Sequence, residues 1–508
     1  MSQAVVSINA GILLPVLAPA VGAAVVLVTD VVAQNKRRVH YVIALVSLAI
    51  GAVATFAGLG MLAGDTRQTL CLPGGGQCMY VADSVGSALQ LAALIAAAVT
   101  LMLSWPEDKE VPRGGTAVIV SLVLAATAGA TAVAGARDLG SWLVALELAT
   151  LPTVALVALR GARSAISGAV ALLTAALVSF GFLALAASLW FTATSSGFLS
   201  PEAALAVVDD PVRRPILVLA VVLVVAGIGF KLSLVPFHAW TPEAYDGAPL
   251  PIAAFLAGVS KIAALAALLI VIRAIVPMGA SVLTAIAVVA AVSMTLGNIM
   301  ALRQDGVLRL LAWSTVAQAG WVVLPLAAVS SAAVQASGAY LLAYVLATIL
   351  AFAVVAALVQ TRGAARARDL SEYRGLLRDH PFLASALGLA LLSLAGLPPG
   401  ILGLVAKVGA LRPVVASELW LLAVVAAVNA VLGVAVYVRW LRAIITSVDA
   451  SPNASPQAAS ATTPDGTVVM AAPVVRPHPV TLLAVGLSAV ALVLTSLSPQ
   501  LILGLLGR

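Results

Sequence analysis

The chain reads as an all-α polytopic membrane protein of about fourteen transmembrane helices, the seventh and twelfth of them broken. Three observations predict this. Of its 508 residues 62% are hydrophobic and 9% charged, with a mean hydropathy of +1.13, a balance that excludes an ordinary soluble domain. The apolar residues fall into runs of about 20, the length that crosses about 30 Å of hydrocarbon. Prolines then interrupt two of these runs near a lysine: Pro236 follows Lys231, and Pro398 and Pro399 precede Lys407. A carbonyl freed by proline is tolerated at membrane depth only where the broken helix is buried or lines a wet cavity.

The spans follow one another with short joints. The first, 9–29, lacks a charged leader and a small-residue cleavage site, so it is expected to remain as a span. A basic joint, Lys36-Arg37-Arg38, leads to 40–63, and a loop holding Cys71 and Cys78 leads to 84–105. Next come 115–135, 140–160 and 165–192, each bounded by charged or small residues. The seventh run, 214–234, continues past Pro236 as a second half through about 246. Spans at 250–275, 279–302, 307–329 and 332–360 precede the twelfth, 381–411, broken near Pro398. The set closes with 415–444 and 479–505. The stretch 447–479 is rich in Ala, Ser, Pro and Thr without periodicity and reads as a flexible linker. The whole chain, 1–508, is expected to be one transmembrane domain.

A formal charge of +7 invites a nucleic-acid reading, but the basic residues sit in joints between spans. Strict alternation of sides puts seventeen of them on one face and seven on the other. By the positive-inside rule the richer face is cytoplasmic, so both termini lie outside, with the loop 361–380 and the linker 447–479 inside. That puts Cys71 and Cys78 on the oxidising side, where they are either a small disulfide or two free thiols. No CxxC, iron–sulfur, zinc, GxGxxG or P-loop spacing occurs, and four scattered histidines make no haem pair. The expectation is a chain with no metal and no redox centre of its own.

Chemistry is therefore sought among charges inside spans. Among twenty acidic residues only Glu147 lies well within a span, in SWLVALELATLP, and Pro152 frees the carbonyl of Leu148 just past it. Lys231, Lys261 and Lys407 are the intramembrane cations. The chain has 22 arginines and 5 lysines, yet all three buried cations are lysine. Arginine keeps its proton, whereas a desolvated lysine can release one, so this choice points to proton transfer. Pro236 is expected to free the carbonyl of Leu232, and Pro398 and Pro399 those of Leu394 and Ala395. Bland alternatives stand beside these readings. Lys407 could snorkel to an interface, Glu147 could be a static counter-ion, and His238 is either a relay group or a satisfied interfacial histidine.

At KLSLVPFHAWTPEAYDGAPLPIAAFL the sequence resembles the antiporter-like membrane subunits of proton-pumping NADH–quinone oxidoreductase (complex I), in the wording of subunit N rather than of its sisters L and M. Further matches are VADSVGSALQL, ARDLGSWLVALELATLP, GVSKIAAL, RLLAWSTVAQAGW and LLSLAGLPPGILGLVAK, so the likeness runs from about Val81 to Leu411. The resemblance implies two inverted five-helix repeats, about spans 4–8 (115–275) and 9–13 (279–444). It also implies a polar axis of Glu147, Lys231, Lys261 and Lys407. Partners would be the other membrane subunits (the antiporter-like neighbour M, small membrane subunits and the lateral helix of L) and the lipid of a bacterial plasma membrane. NAD, flavin, iron–sulfur clusters and quinone would belong to partner subunits. Departures exist: Gln318 stands where the motif often has histidine, and Trp313 and Trp321 replace tyrosines. A subunit of a multisubunit cation/proton antiporter, a passive membrane scaffold and a stand-alone transporter are the competing readings.

Overall fold

The computed structural model describes residues 8–33, 36–59, 61–62, 64–73, 76–106, 115–278, 284–328, 330–446 and 476–506. The linker expected at 447–479 therefore lies almost wholly outside the described residues, as do Lys109, Arg113 and Arg508. Thirteen helices among those described are long and apolar enough to cross a membrane, and a broken pair makes the fourteenth span.

Helices α1 (Ala10–Val32) and α2 (Arg37–Leu59) precede an antiparallel hairpin, β1 (Arg67–Cys71) with β2 (Cys78–Ala82). The two cysteines are joined as a disulfide across it. Then come α3 (Ser84–Ser104), α4 (Gly115–Gly135), α5 (Leu139–Ala158), α6 (Arg163–Thr194) and the short α7 (Pro201–Leu205). The seventh span is α8 (Arg213–Leu232), and α9 (Trp240–Gly247) is its continuation after the break. The eighth is split as well, into α10 (Leu250–Ala257) and α11 (Val259–Ile275). Next are α12 (Thr284–Leu302), α13 (Val307–Val323) and α14 (Ser331–Arg362). The basic loop after α14 forms two single turns, α15 (Ala364–Ala367) and α16 (Leu376–Asp379). The twelfth span is α17 (Pro381–Ala395) and α18 (Ile401–Ala416), followed by α19 (Trp420–Ile445), α20 (Pro479–Leu497) and α21 (Gln500–Leu506).

Polar residues at the span boundaries earn their places by capping. Asn9, Asp83, Asp138 and Ser330 each accept a backbone N–H from the first turn of the helix they precede, satisfying donors that have no intrahelical partner. Helices α11, α13 and α14 are buried along almost their whole length, whereas α1, α2 and α20 turn Val and Leu side chains outward. The core is thus a few enclosed helices within a ring whose outer face suits lipid.

The same neighbours recur in two sets of five spans. Helix α4 packs on α5, α6 on α8 and α9, and α11 on α4 and α8. Correspondingly α12 packs on α13, α14 on α17 and α18, and α19 on α12 and α17. Glycine permits the close approach at equivalent places. A Cβ on Gly129 of α4 would lie 2.6 Å from the carbonyl carbon of Leu148, and one on Gly297 of α12 would lie 2.7 Å from Cα of Ala317. Small residues at such crossings let backbones touch where water supplies no driving force.

Both predicted proline breaks are present, and both carry a cis X-Pro bond, Val235–Pro236 and Pro398–Pro399. The first differs in detail from the expectation. Helix α8 stops at Leu232, four residues before Pro236, because Ser233 adopts a left-handed conformation with φ 68°. The equivalent stop after α17 falls on Gly396, φ 79°. The break at Gly258 between α10 and α11 has no proline and was not expected.

Candidate functional site

Helix α8 ends with Lys231 in its last turn, facing α5. Its ammonium donates to Oε1 of Glu147 at 3.0 Å and to Oγ1 of Thr150 at 2.8 Å. Glu147 and Thr150 are three residues apart and so share one face of α5. The Lys231 side chain is 5% exposed and that of Glu147 16%, which makes this a partly desolvated pair. A cavity of about 20 Å³ beside it is bordered by Lys231, Thr150, Thr153, Ser179, Trp240 and Ser260. That is room for one water on the third hydrogen of the ammonium.

Lys261 comes three residues after the Gly258 break. Its ammonium donates to the main-chain oxygen of Lys231 at 2.9 Å and to Oγ of Ser233 at 2.6 Å. The Trp240 ring lies 4.7 Å away, within cation–π range. Ser233 also accepts from Oγ1 of Thr241, 2.6 Å. So the carbonyl that matters at this break is that of Lys231, not of Leu232 as expected, because the helix ends earlier than the proline alone dictates. The side chain and the backbone of Lys231 thereby join Glu147 to Lys261 in one unbroken contact.

In the second set Lys407, on α18, donates to the main-chain oxygen of Ala395 at 2.6 Å, with the Trp321 ring 5.6 Å off. Ala395 is one of the two carbonyls expected to be free. Its neighbour, the Leu394 carbonyl, accepts from Gln318 at 3.4 Å. Lys407 is 6% exposed, so it reaches inward rather than snorkelling. The eight-residue separation from Pro399, which suggests about 12 Å along a helix, is closed because the α17 end doubles back beside the start of α18. Among the described residues no carboxylate lies within salt-bridge distance of Lys261 or Lys407. Each cation rests on a carbonyl, a ring and, for Lys261, a hydroxyl.

His238 does not join this chain. Its ring stacks at a tilt on Trp313, 5.1 Å between centroids, and its Nδ1 is buried without a partner. Helix α9 beyond it is held from the second set, by Arg309 on Glu243 at 3.6 Å and Arg368 on Asp246 at 4.0 Å. What sequence reasoning missed is a cluster of neutral groups on α13, α14 and α19. Gln318 donates to the Tyr437 hydroxyl at 2.8 Å and accepts from Tyr340 at 2.5 Å; Tyr437 meets Ser314 at 2.7 Å, and Tyr344 meets Thr315 at 2.9 Å. The spacing of Ser314, Thr315, Gln318 and Trp321 along one helix face is the signal that could have found it.

One further charged group stands at the span ends. Asp83 meets Arg273 at 2.6 Å and Arg137 at 3.2 Å while capping α3. Burial pushes this carboxyl up, but Arg273, Arg137 and the Gly86 N–H outweigh it and hold the group below the usual aspartate value. Nearby, burial pushes the Tyr80 hydroxyl up to about 12.

Residues 136–433, which include Glu147, Lys231, Lys261 and Lys407, match the family described as NADH:quinone oxidoreductase/Mrp antiporter, transmembrane. The chain belongs to that family. Among curated relatives, NADH-quinone oxidoreductase subunit N of Salinispora tropica is 38% identical over 416 residues, 79% of this chain and 78% of the relative. A chain of respiratory complex I from Thermus thermophilus superposes with TM-score 0.75 at 30% identity, covering 96% of this chain and 98% of that one. A chain of the Mrp complex from Dietzia sp. superposes with TM-score 0.78 at 20% identity, covering 98% and 96%, which speaks to the fold alone. Expectation and match agree on the family, although the matched region begins and ends later than the motifs from Val81 to Leu411.

Proposed function

We propose that this chain is the proton-translocating subunit N of an NADH–quinone oxidoreductase, carrying protons through Glu147, Lys231, Lys261 and Lys407. The observation that carries the reading is the continuous contact from the Glu147 carboxylate through Lys231 to the Lys261 ammonium, buried among apolar helices. The electrons travel in partner subunits that hold NAD, flavin, iron–sulfur clusters and quinone. In the bacterial plasma membrane both termini face outward and the loop 361–380 faces the cytoplasm, as the distribution of basic residues indicates. The recurring packing of five spans supports two inverted repeats, 115–275 and 279–444, with the path running between their broken helices. Subunit M, the small membrane subunits and the lateral helix of L complete the membrane arm.

Glu147 holds Lys231 as an ammonium. When the Glu147 side chain swings away and its carboxylate withdraws, Lys231 is left as a buried cation with only Thr150, and its proton passes through a water in the adjoining cavity towards Lys261. Lys261, resting on neutral dipoles, hands a proton on towards Lys407. His238 would tune rather than conduct, since it stands apart.

The test is Lys261→Arg, which keeps the charge and forbids release. Assembled complex in proteoliposomes should then move fewer protons per electron pair. An unchanged ratio would remove Lys261 from the path. Sodium–proton exchange without NADH or quinone would instead favour a cation/proton antiporter, and variants that fail to assemble would favour a scaffold.

A further inference from the structure

Resting on the lysine relay just described, we propose that Ser293 of α12 is a positioning residue for proton transfer. By holding the α8 break at Val235 it ties the carbonyl and hydroxyl beneath Lys261 to the second set of spans. Lys261 rests on the Lys231 carbonyl and on Oγ of Ser233, and both belong to the turn that ends α8. Whatever fixes that turn therefore fixes where the ammonium sits. Within the turn, the N–H groups of Ser233, Leu234 and Phe237 bond back to the carbonyls of Phe230, Gly229 and Leu234, and Pro236 has none to give. The N–H of Val235 leaves the first set altogether and donates to Oγ of Ser293 at 2.9 Å.

The direction of this bond is fixed. Ser293 gives its one proton to the Val289 carbonyl at 2.6 Å, so towards Val235 it can only accept. Ser293 is fully buried, so solvent does not replace it as a partner, and an orphaned backbone N–H is costly in such a place. The other polar ties from the second set to this region are of a weaker kind. Arg309 on Glu243 and Arg368 on Asp246 stand at 3.6 and 4.0 Å and are partly exposed, and exposed pairs add little. The buried hydroxyl is the firm hold.

The second break shows the same turn without this hold. Gly396 ends α17 in the left-handed conformation that Ser233 takes at the end of α8. Leu397 bonds back to Leu392 as Leu234 does to Gly229, and Gly400 to Leu397 as Phe237 does to Leu234. The two turns match residue for residue, yet the place of Val235 is taken by Pro398, which has no N–H to be held. The grip therefore runs one way, from α12 onto the turn beneath Lys261. When α12 shifts, Val235 goes with it, and the Ser233 hydroxyl and Lys231 carbonyl just before it change how they meet Lys261.

The experiment uses the assembled complex in proteoliposomes and reads protons per electron pair, normalised to the content of this chain. Ser293→Ala removes the acceptor, and Val235→Pro removes the donor as the second break does. Each should take away part of the pumping that Lys261→Arg takes away, and the double variant should lose no more than Val235→Pro alone. Ser293→Thr, which keeps the hydroxyl, should pump more than Ser293→Ala. If Val235→Pro pumps like the native complex and restores Ser293→Ala, the bond only satisfies a buried N–H and the positioning role is wrong. If Ser293→Ala itself pumps normally while Lys261→Arg does not, the hold is wrong and the relay stands. If Lys261→Arg also pumps normally, the relay falls and the hold with it. Should Val235→Pro fail to assemble, the pH profile of the ratio in Ser293→Ala decides: a changed profile supports positioning, and the native profile merely scaled down overturns it.

Discussion

Replacing Glu147 by glutamine tests the first contact with the least change of shape. The carboxylate oxygen stands 3.0 Å from the Lys231 ammonium. At that separation and an effective dielectric of about 20, the attraction is about 5.5 kcal/mol. The amide oxygen of glutamine still accepts the hydrogen bond, worth about 1 kcal/mol, so the ammonium loses about 4.5 kcal/mol of support. Carrying one charge against about 150 mV takes about 3.5 kcal/mol. Loss of the pair is thus as large as the step the switch must drive, and Glu147→Gln should remove this subunit's share of pumping. The assay is acidification of proteoliposomes by the assembled complex, normalised to NADH oxidised and to the amount of this chain present. A fully assembled Glu147→Gln complex that moves as many protons per electron pair as the native one would refute the reasoning, because the pair would then be a static strut.

Other outcomes follow from packing and from the span ends. Gly403→Ala should disturb Lys407, because the added Cβ would press on the Ser393 backbone, 2.6 Å from its carbonyl carbon. The expected result is reduced pumping with weakened incorporation of the chain, read by subunit content and protons per electron pair. Asp83→Asn should cost about 3 kcal/mol, since it leaves Arg137 and Arg273 sharing no carboxylate. Because the folded state holds the Asp83 carboxyl below its ordinary value of about 3.9, its contribution is fully present above that pH. It is lost as pH falls through the lowered value. Melting of the native complex should therefore gain acid sensitivity below about pH 4 that the Asp83→Asn complex lacks, beyond its constant deficit.

That Glu147, Lys231, Lys261 and Lys407 lie inside the helical bundle was legible because one charge in an apolar run is a signal that needs no partner to be read. The second break was legible for a similar reason. Two prolines removed the partners of Leu394 and Ala395, and those carbonyls are the ones that Gln318 and Lys407 use. The first break was read one residue off, since nothing in the wording around Ser233 announces a left-handed turn. Gly258 hid for another reason: an isolated glycine in an apolar run carries no mark that separates a break from a close helix crossing. The hydroxyl cluster was missed because Tyr340, Tyr344 and Tyr437 look like ordinary aromatic filling within their own helices. Only their convergence from α14 and α19 upon Gln318 and Thr315 of α13 makes them a network, and convergence is not a property of any one stretch.

Both inner cations lean on peptide oxygens, those of Lys231 and Ala395. Every amino acid brings the same peptide oxygen, so an exchange of the side chain at position 395 leaves that foothold untouched. Mutation over generations can swap the groups that give up hydrogen far more easily than it can erase the spots that receive them. To lose those spots the lineage would have to regrow a continuous helix through Ser233 or Gly396, a change of several residues at once.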